Sequence, residues 1–470
     1  MNTRTETDSM GAMLVPADAL WGAQTARAVE NFAVSGWAMP PEFIAALGLV
    51  KKCAAEVHKA KGRLRGPIAD AIIAAADEVA HNKLDAHFPL DVFQTGSATS
   101  SNMNANEVIA NRAMRLLVSR DGKKAKAAAG LKVHPNDHVN MGQSSNDVIP
   151  TAMHVSAAVA IGHQLLPALA GLGKSLRAKA REFDAVVKIG RTHLMDAVPV
   201  RLGQEFAGYA AQVAAATQVV RLAQGRLCEL AIGGTAVGTG LNAPAGFAQA
   251  VCKRLAAVTK LPFRKTDNHF AAQGAKDAVV LASGAIKTAA IALGKIASDI
   301  RLLGSGPRCG IGELVLPATQ PGSSIMPGKV NPVMCESVIQ VSCQVVGCDA
   351  AISAGAMGGV GSILELNVAM PMMAWNLLTA CRLLGNAARG FDAKCVRGLK
   401  ANVARCAELV EQSLAMITVL APEIGYDAAA TIAKQAGKSG KTIREICLEK
   451  KLLPAGKLRR LLDARRQTGK

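Results

Sequence analysis

The segment PGSSIMPGKVNPVMCE, residues 321–336, gathers two serines, a lysine, an asparagine and a glutamate into one short stretch. Gly322 and Gly328 bracket it, so the backbone can bend there without a Cβ penalty. Ser323 and Ser324 offer hydroxyls that could act as nucleophile or base. Lys329 is a compact cation suited to a carboxylate oxygen. Asn331-Pro332 reads as an N-cap followed by proline at the first helical position. An apolar helix then runs through Val338, Val341, Val345 and Val346. A helix N-terminus with a lysine beside it is a ready anion site. The pattern suits an oxyanion held next to a serine hydroxyl, although the same glycines and serines would also make an ordinary surface loop.

Such groups work only if longer elements bring others to them. TGSATSSNMNANEVIANRA, residues 95–113, places Ser97 and Thr99 in a loop ahead of a helix expected to begin near Asn104. An N-capping cluster would use the same residues. A lysine- and alanine-rich insert at 121–130 separates this from HPNDHVNMGQSSNDVIPTAMH, residues 134–154, where Pro150 marks the start of another apolar helix. There Asn140, Gln143, Ser144, Ser145 and Asn146 are dense uncharged groups that fit either a carboxylate-binding surface or a polar turn. Long helices are expected over 148–183, 202–230, 269–303, 332–354 and 372–387. Val279, Ile286, Ala289 and Leu293 form one apolar face, with Leu281 and Ile291 on a second. Helices apolar on more than one face need several neighbours, which predicts a bundle buried further by other subunits. The breaks GRTHLMDAVP (190–199) and GGTAVGTGLN (233–242) are polar and glycine-rich. No sheet domain or internal repeat is visible. Stretches 21–25 and 32–39 read as loops, with helical periodicity starting near Phe43 and Ile68. Three domains are expected: 1–143, mostly helical; 144–400, the central bundle; and 401–470, a small helical domain.

Composition narrows the classes. Half of the 470 residues are hydrophobic but only 3% are aromatic, which favours alanine- and leucine-lined helices over a β-sandwich. The opening residues carry acidic groups and no apolar signal core, and no uninterrupted apolar run reaches the length of a bilayer span. A soluble, cytoplasmic protein is expected. Eleven cysteines without CxxC pairs suggest reduced thiols, with Cys53, Cys228, Cys252 and Cys343 as small core residues and Cys309 and Cys335 as packing. No metal-ligand spacing occurs, so no metal is expected. The net charge of +19 is spread along the chain rather than interleaved with aromatics. It fits attraction of small anions better than nucleic-acid binding.

Four segments, TGSATSSNMNANEV, HPNDHVNMGQSSND, GRTHLMDA and GSSIMPGKVNP, resemble the characteristic stretches of the fumarase/aspartase superfamily, and class II fumarases in particular. The opening DSMGAMLVPADALWGAQT and the GGTAVGTGLN turn are similar too, so the likeness covers nearly the whole chain. It implies reversible elimination of water from malate to fumarate through an aci-carboxylate, with no cofactor. Carried over, Ser323 is the base, and Lys329 and Asn331 hold the carboxylate where charge accumulates, with Ser324 assisting. Ser97, Thr99, Ser144, Ser145 and Asn146 bind the substrate. Thr192 and His193 lie at the water site, with Glu336 orienting His193. The resemblance also implies a second dicarboxylate site at His134, Asn136 and Asp137, although Leu131 stands where an arginine is usual. Ala98 and Ser100, where the family often has glycine and glutamine, and Met195, where it usually has glutamine, are smaller departures. His193 and Gly328 favour fumarase over aspartase, which carries glutamine and alanine there. The implied fold is all-α in three domains, a central five-helix bundle forming the twenty-helix core of a homotetramer whose active sites each draw on three subunits. An ammonia lyase and a catalytically silent helical scaffold are the alternatives; a nucleic-acid binder ranks last.

Overall fold

The computed structural model describes residues 2–119 and 131–469; the insert at 121–130 lies outside them. The described chain is predominantly helical and divides into two compact units. The first comprises residues 1–167, 218–288 and 343–385, and the second 168–217, 289–342 and 386–470.

In the first unit a hairpin of β1 (Thr3–Asp8) and β2 (Gly11–Pro16) precedes α1 (Ala23–Asn31), α2 (Pro41–Ala60), α3 (Gly66–Ala80) and α4 (Thr99–Val118). Helix α2 turns Phe43, Leu47, Val50, Ala54 and Val57 inward, the spacing of a single helical face. Each large side chain so buried contributes roughly 2 kcal/mol. Gly48 is needed there: a Cβ would lie 2.5 Å from the Ala80 nitrogen, so glycine lets α2 and α3 approach closely. The start of α1 is closed from outside. The buried Glu107 carboxylate on α4 accepts from the backbone N–H groups of Gly22, Gln24 and Thr25 and from the Thr25 hydroxyl.

The long helices run Ser145–Ala160, continuing through a π-turn into Leu166–Glu182, then Leu202–Leu227, Asp277–Leu303, Val333–Ala356 and Met370–Lys394. Each expected run is present with shifted ends. The run expected over 269–303 is two helices, because His269–Gly274 stops before Asp277. Within the first unit the Gln224 amide donates to Ala158 O at 2.8 Å, and the Ser283 hydroxyl to Asp349 at 2.7 Å. Within the second, the Ser342 hydroxyl donates to Ala290 O at 2.8 Å. Three helices, Ser145–Glu182, Asp277–Leu303 and Val333–Ala356, reach the length and mean hydropathy of a bilayer span once isolated polar residues are allowed.

Several local expectations are corrected. Helix α4 begins at Thr99, not Asn104, and α1 begins inside the stretch read as a loop at 21–25. Pro150 lies within its helix, which starts at Ser145. The 190–199 break is a β-hairpin, β3 (Val187–Thr192) with β4 (Met195–Arg201), one of five two-stranded pairs among the described residues. Cys309 and Cys343 are exposed rather than packed, while Cys53, Cys228, Cys252 and Cys335 are buried.

Candidate active site

Of the residues singled out from sequence, Ser97, Thr99, His134, Asn136, Asp137, Ser144, Ser145 and Asn146 fall in the first unit. Thr192, His193, Ser323, Ser324, Lys329, Asn331 and Glu336 fall in the second.

In the first unit the loop before α4 is tightly specified. Gly96 passes so near residue 368 that a Cβ would sit 1.9 Å from Val368 O. Ala98 follows, fully buried with φ 52°, a left-handed conformation that suits glycine better. The hydroxyls of Ser97 and Thr99 lie 2.8 Å apart and share a hydrogen bond. One turn into α4, buried Asn102 donates to the Ser145 hydroxyl at 3.0 Å, joining this loop to the QSSND turn. Ser144 caps its helix by accepting from Asn146 N, while Asp147 accepts from Ser144 N, completing a capping box. The other Asp147 oxygen accepts from Gly233 N and Thr235 N, and Asn146 donates to Ala236 O. The GGTAVGTGLN turn is thereby fastened to the same helix start. Burial pushes the Asp147 carboxyl up to about 6.

Beneath the turn is a lysine that the sequence did not advertise. Lys51 is fully buried on α2, and its ammonium donates to Asn140 Oδ1 at 2.8 Å and Gln143 Oε1 at 3.2 Å. Burial pushes it down to about 7. Asn140 and Gln143 therefore address Lys51 with their oxygens, leaving Ser144, Ser145 and Asn146 as the part of the segment at the helix start. A lysine beside Lys52 in an apolar helical repeat carries no signal that it points inward.

His134, Asn136 and Asp137 form an exposed π-turn that closes on itself. His134 Nδ1 accepts from the backbone N–H groups of Asn136 and Asp137 and lies 3.2 Å from the Asp137 carboxylate.

In the second unit the signature segment is a loop pinched at its neck. Gly322 N donates to Lys329 O at 2.8 Å, and the Asn331 amide donates to Gly322 O at 2.7 Å. Asn331 thus closes the loop instead of capping the helix, which begins at Val333, one residue after Pro332. A Cβ on Gly322 would lie 2.6 Å from Lys329 O, so the neck requires glycine. Gly328, at φ 79°, makes the opposite bend. The Ser323 hydroxyl oxygen accepts from Met326 N at 2.9 Å and Ile325 N at 3.2 Å. Two N–H groups on one oxygen favour negative charge there. Ser324 and Lys329 are exposed, and Glu336 sits in the first turn of the Val333–Ala356 helix.

Thr192 ends β3, and His193 with Leu194 forms the two-residue turn to β4, both exposed. Among the described residues no hydrogen bond or ion pair joins His193 to Glu336.

Fold and loop together define a helical lyase: residues 11–347 match the lyase family model, and residues 416–469 match that of the fumarase C C-terminus. The class II fumarate hydratase of Rhizobium meliloti is 53% identical over 445 residues, 94% of each chain. The mitochondrial fumarate hydratase of Mus musculus is 52% identical over 448 residues, 95% of this chain and 86% of that one. A class II fumarase from Schistosoma mansoni superposes with a TM-score of 0.93 at 42% identity, covering 99% of this chain and 98% of the other. A fumarate lyase:delta crystallin from Brucella melitensis, bound to cobalt, gives 0.92 at 44% identity with full coverage of both. The chain belongs to the class II fumarate hydratases, a family of hydro-lyases.

Proposed function

We propose that this chain interconverts fumarate and L-malate by anti addition and elimination of water, with Ser323 as the base that takes the C3 proton. The observation that carries this is the pair of N–H groups on the Ser323 oxygen. A serine hydroxyl is a weak base, and donors already aimed at its oxygen stabilise the alkoxide it must become. Removing a proton beside a carboxylate leaves an aci-carboxylate with extra charge. Lys329 and Asn331 stand at the neck of the same loop to hold it, with Ser324 assisting, and fixed donors of this kind supply the largest share of such catalysis. Ser97, Thr99, Ser144, Ser145 and Asn146 bind the dicarboxylate and its hydroxyl. Thr192 and His193 handle the leaving water, and Glu336 orients His193 and raises its basicity.

Among the described residues His193 and Glu336 make no bond to each other, and we take their pairing to be made between chains. We take the protein to be a homotetramer with a twenty-helix core, built on a three-domain chain divided at 143 and 400, each active site drawing on three subunits. The exposed apolar side chains Leu281 and Ile291 on the Asp277–Leu303 helix, and Val346 on the next long helix, suit such association. No cofactor takes part, and the protein works in the cytoplasm without nucleic acid or membrane. The His134, Asn136 and Asp137 turn is the candidate for a second dicarboxylate site; Leu131 leaves it without an arginine.

The test is the ultraviolet absorbance of fumarate after adding protein to L-malate, with Ser323→Ala and L-aspartate in parallel. Fumarate from malate only, reduced about 10³-fold in the variant, is the expected outcome. Fumarate and ammonia from aspartate, or full activity in Ser323→Ala, would overturn the reading.

A further inference from the structure

The turn that carries His193 is one its own residues resist. His193 has φ 57° and Leu194 φ 62°, the left-handed pair that a two-residue hairpin turn demands and that Asn-Gly usually supplies. Side chains with a Cβ disfavour it, so the conformation persists only where its surroundings over-determine it. The strand ladder does so only in part, because its register shifts between Ile189 and Arg191.

That irregularity has a use. Side chains three apart on a regular strand point to opposite faces, yet Lys188 and Arg191 both reach one carboxylate. Arg191 Nη1 lies 3.0 Å from each oxygen of Glu313, and Lys188 Nζ lies 3.2 Å from Glu313 Oε2. Lys188 also donates to Glu205 at 2.9 Å and to Ile189 O at 2.8 Å. The bulge re-aims one of the two cations. Gly190 permits it, since a Cβ there would be 2.7 Å from Val198 O. Glu313 has no exposed side-chain surface and Lys188 has 1%. Removing one member of a group so buried leaves an uncompensated charge.

We propose that Glu313 is a positioning residue: through Arg191 and Lys188 it clamps the root of the β3–β4 hairpin and holds the His193 turn in its left-handed form, so that the imidazole is aimed without Glu313 touching substrate. This deepens the water-site role of His193 and rests on that reading. Glu313→Gln leaves Arg191 without its counter-charge and Lys188 with Glu205 alone, and is expected to destabilise the fold. The decisive variant is therefore Arg191→Lys, which keeps the charge but is one bond too short to place its nitrogen where Arg191 Nη1 meets both Glu313 oxygens.

Backbone hydrogen exchange at Thr192, His193 and Leu194, measured without substrate, should quicken about tenfold or more in Arg191→Lys, while helix α3, Gly66–Ala80, stays at the parental rate. The kcat for malate should fall about tenfold or more with KM little changed. Adding Leu194→Gly, which removes the Cβ from a left-handed position, should restore part of both. Unchanged exchange in Arg191→Lys, or a kcat loss that Leu194→Gly leaves untouched, would overturn the clamp. An unaltered chain inactive on malate would instead overturn the function, and the exchange result would still judge the clamp.

Discussion

Ala98 shows how much one side chain can cost. It is buried in a left-handed conformation, where glycine would relax the backbone but loosen the unfolded chain. The first effect is the larger, so Ala98→Gly should raise stability by about 1 kcal/mol, seen as a higher urea midpoint. His154 sets an acid limit. Its Nδ1 donates to Glu229 O at 2.7 Å, and burial pushes it down to about 4. Below about pH 6.5 the unfolded chain takes up a proton there that the native chain refuses until about pH 4. Stability is therefore lost as pH falls through that window, by up to about 3 kcal/mol. Comparing urea midpoints at pH 7 and 4.5 should show a smaller difference in His154→Gln. Lys51→Met removes a buried cation but leaves Asn140 Oδ1 and Gln143 Oε1 without their donor. The expected result is a KM for malate raised about tenfold, read from steady-state rates, with a lowered urea midpoint because the acceptors and buried Asp147 lose their cation.

Elements rather than single groups shape the candidate base. Ser323 takes its two N–H donors from the turn directly after it, Ile325 and Met326. The neck at Gly322 and the bend at Gly328 hold the loop that carries that turn. A methyl at position 322 would meet Lys329 O and the Asn331 nitrogen, both backbone, so the neck must open. Gly322→Ala should lower kcat for malate about a hundredfold while leaving the thermal midpoint within a degree or two, because the loop is mostly exposed. Comparing the circular-dichroism melt with the rate checks both halves. The loop's bracketing glycines were legible in the sequence, because turn chemistry is local, whereas the Ser144–Asp147 capping box was missed because Pro150 was read as the helix start. The hairpin at 187–201 was not, because its turn residues are His193 and Leu194 rather than the usual Asn-Gly, and its strands hold through a buried charge group.

At the scale of the whole molecule, two properties can be tested without further structure. A chain of net charge +19 should draw a dianion through its field, so kcat/KM for malate should fall as ionic strength rises. If His193 of one chain works with Glu336 and Ser323 of others, inactive His193→Asn and inactive Ser323→Ala should complement. Unfolded together and refolded, they should regain malate activity that neither shows alone, and no regain would argue for sites built within one chain.

The sequence alone determined the all-helical class, the long helices and the polar segments that carry the chemistry. Periodicity, caps and glycine-flanked loops are short-range features, and the order of four motifs is specific. Only the tertiary structure decided that Asn331 closes its loop, that Asn140 and Gln143 turn to Lys51, and that Arg191 and Lys188 meet on Glu313. The first turns on a carbonyl nine residues back that competes with the helix start for the Asn331 side chain. The others depend on partners dozens of residues away or on a backbone irregularity that reverses a side chain's direction, which leave no mark in local pattern.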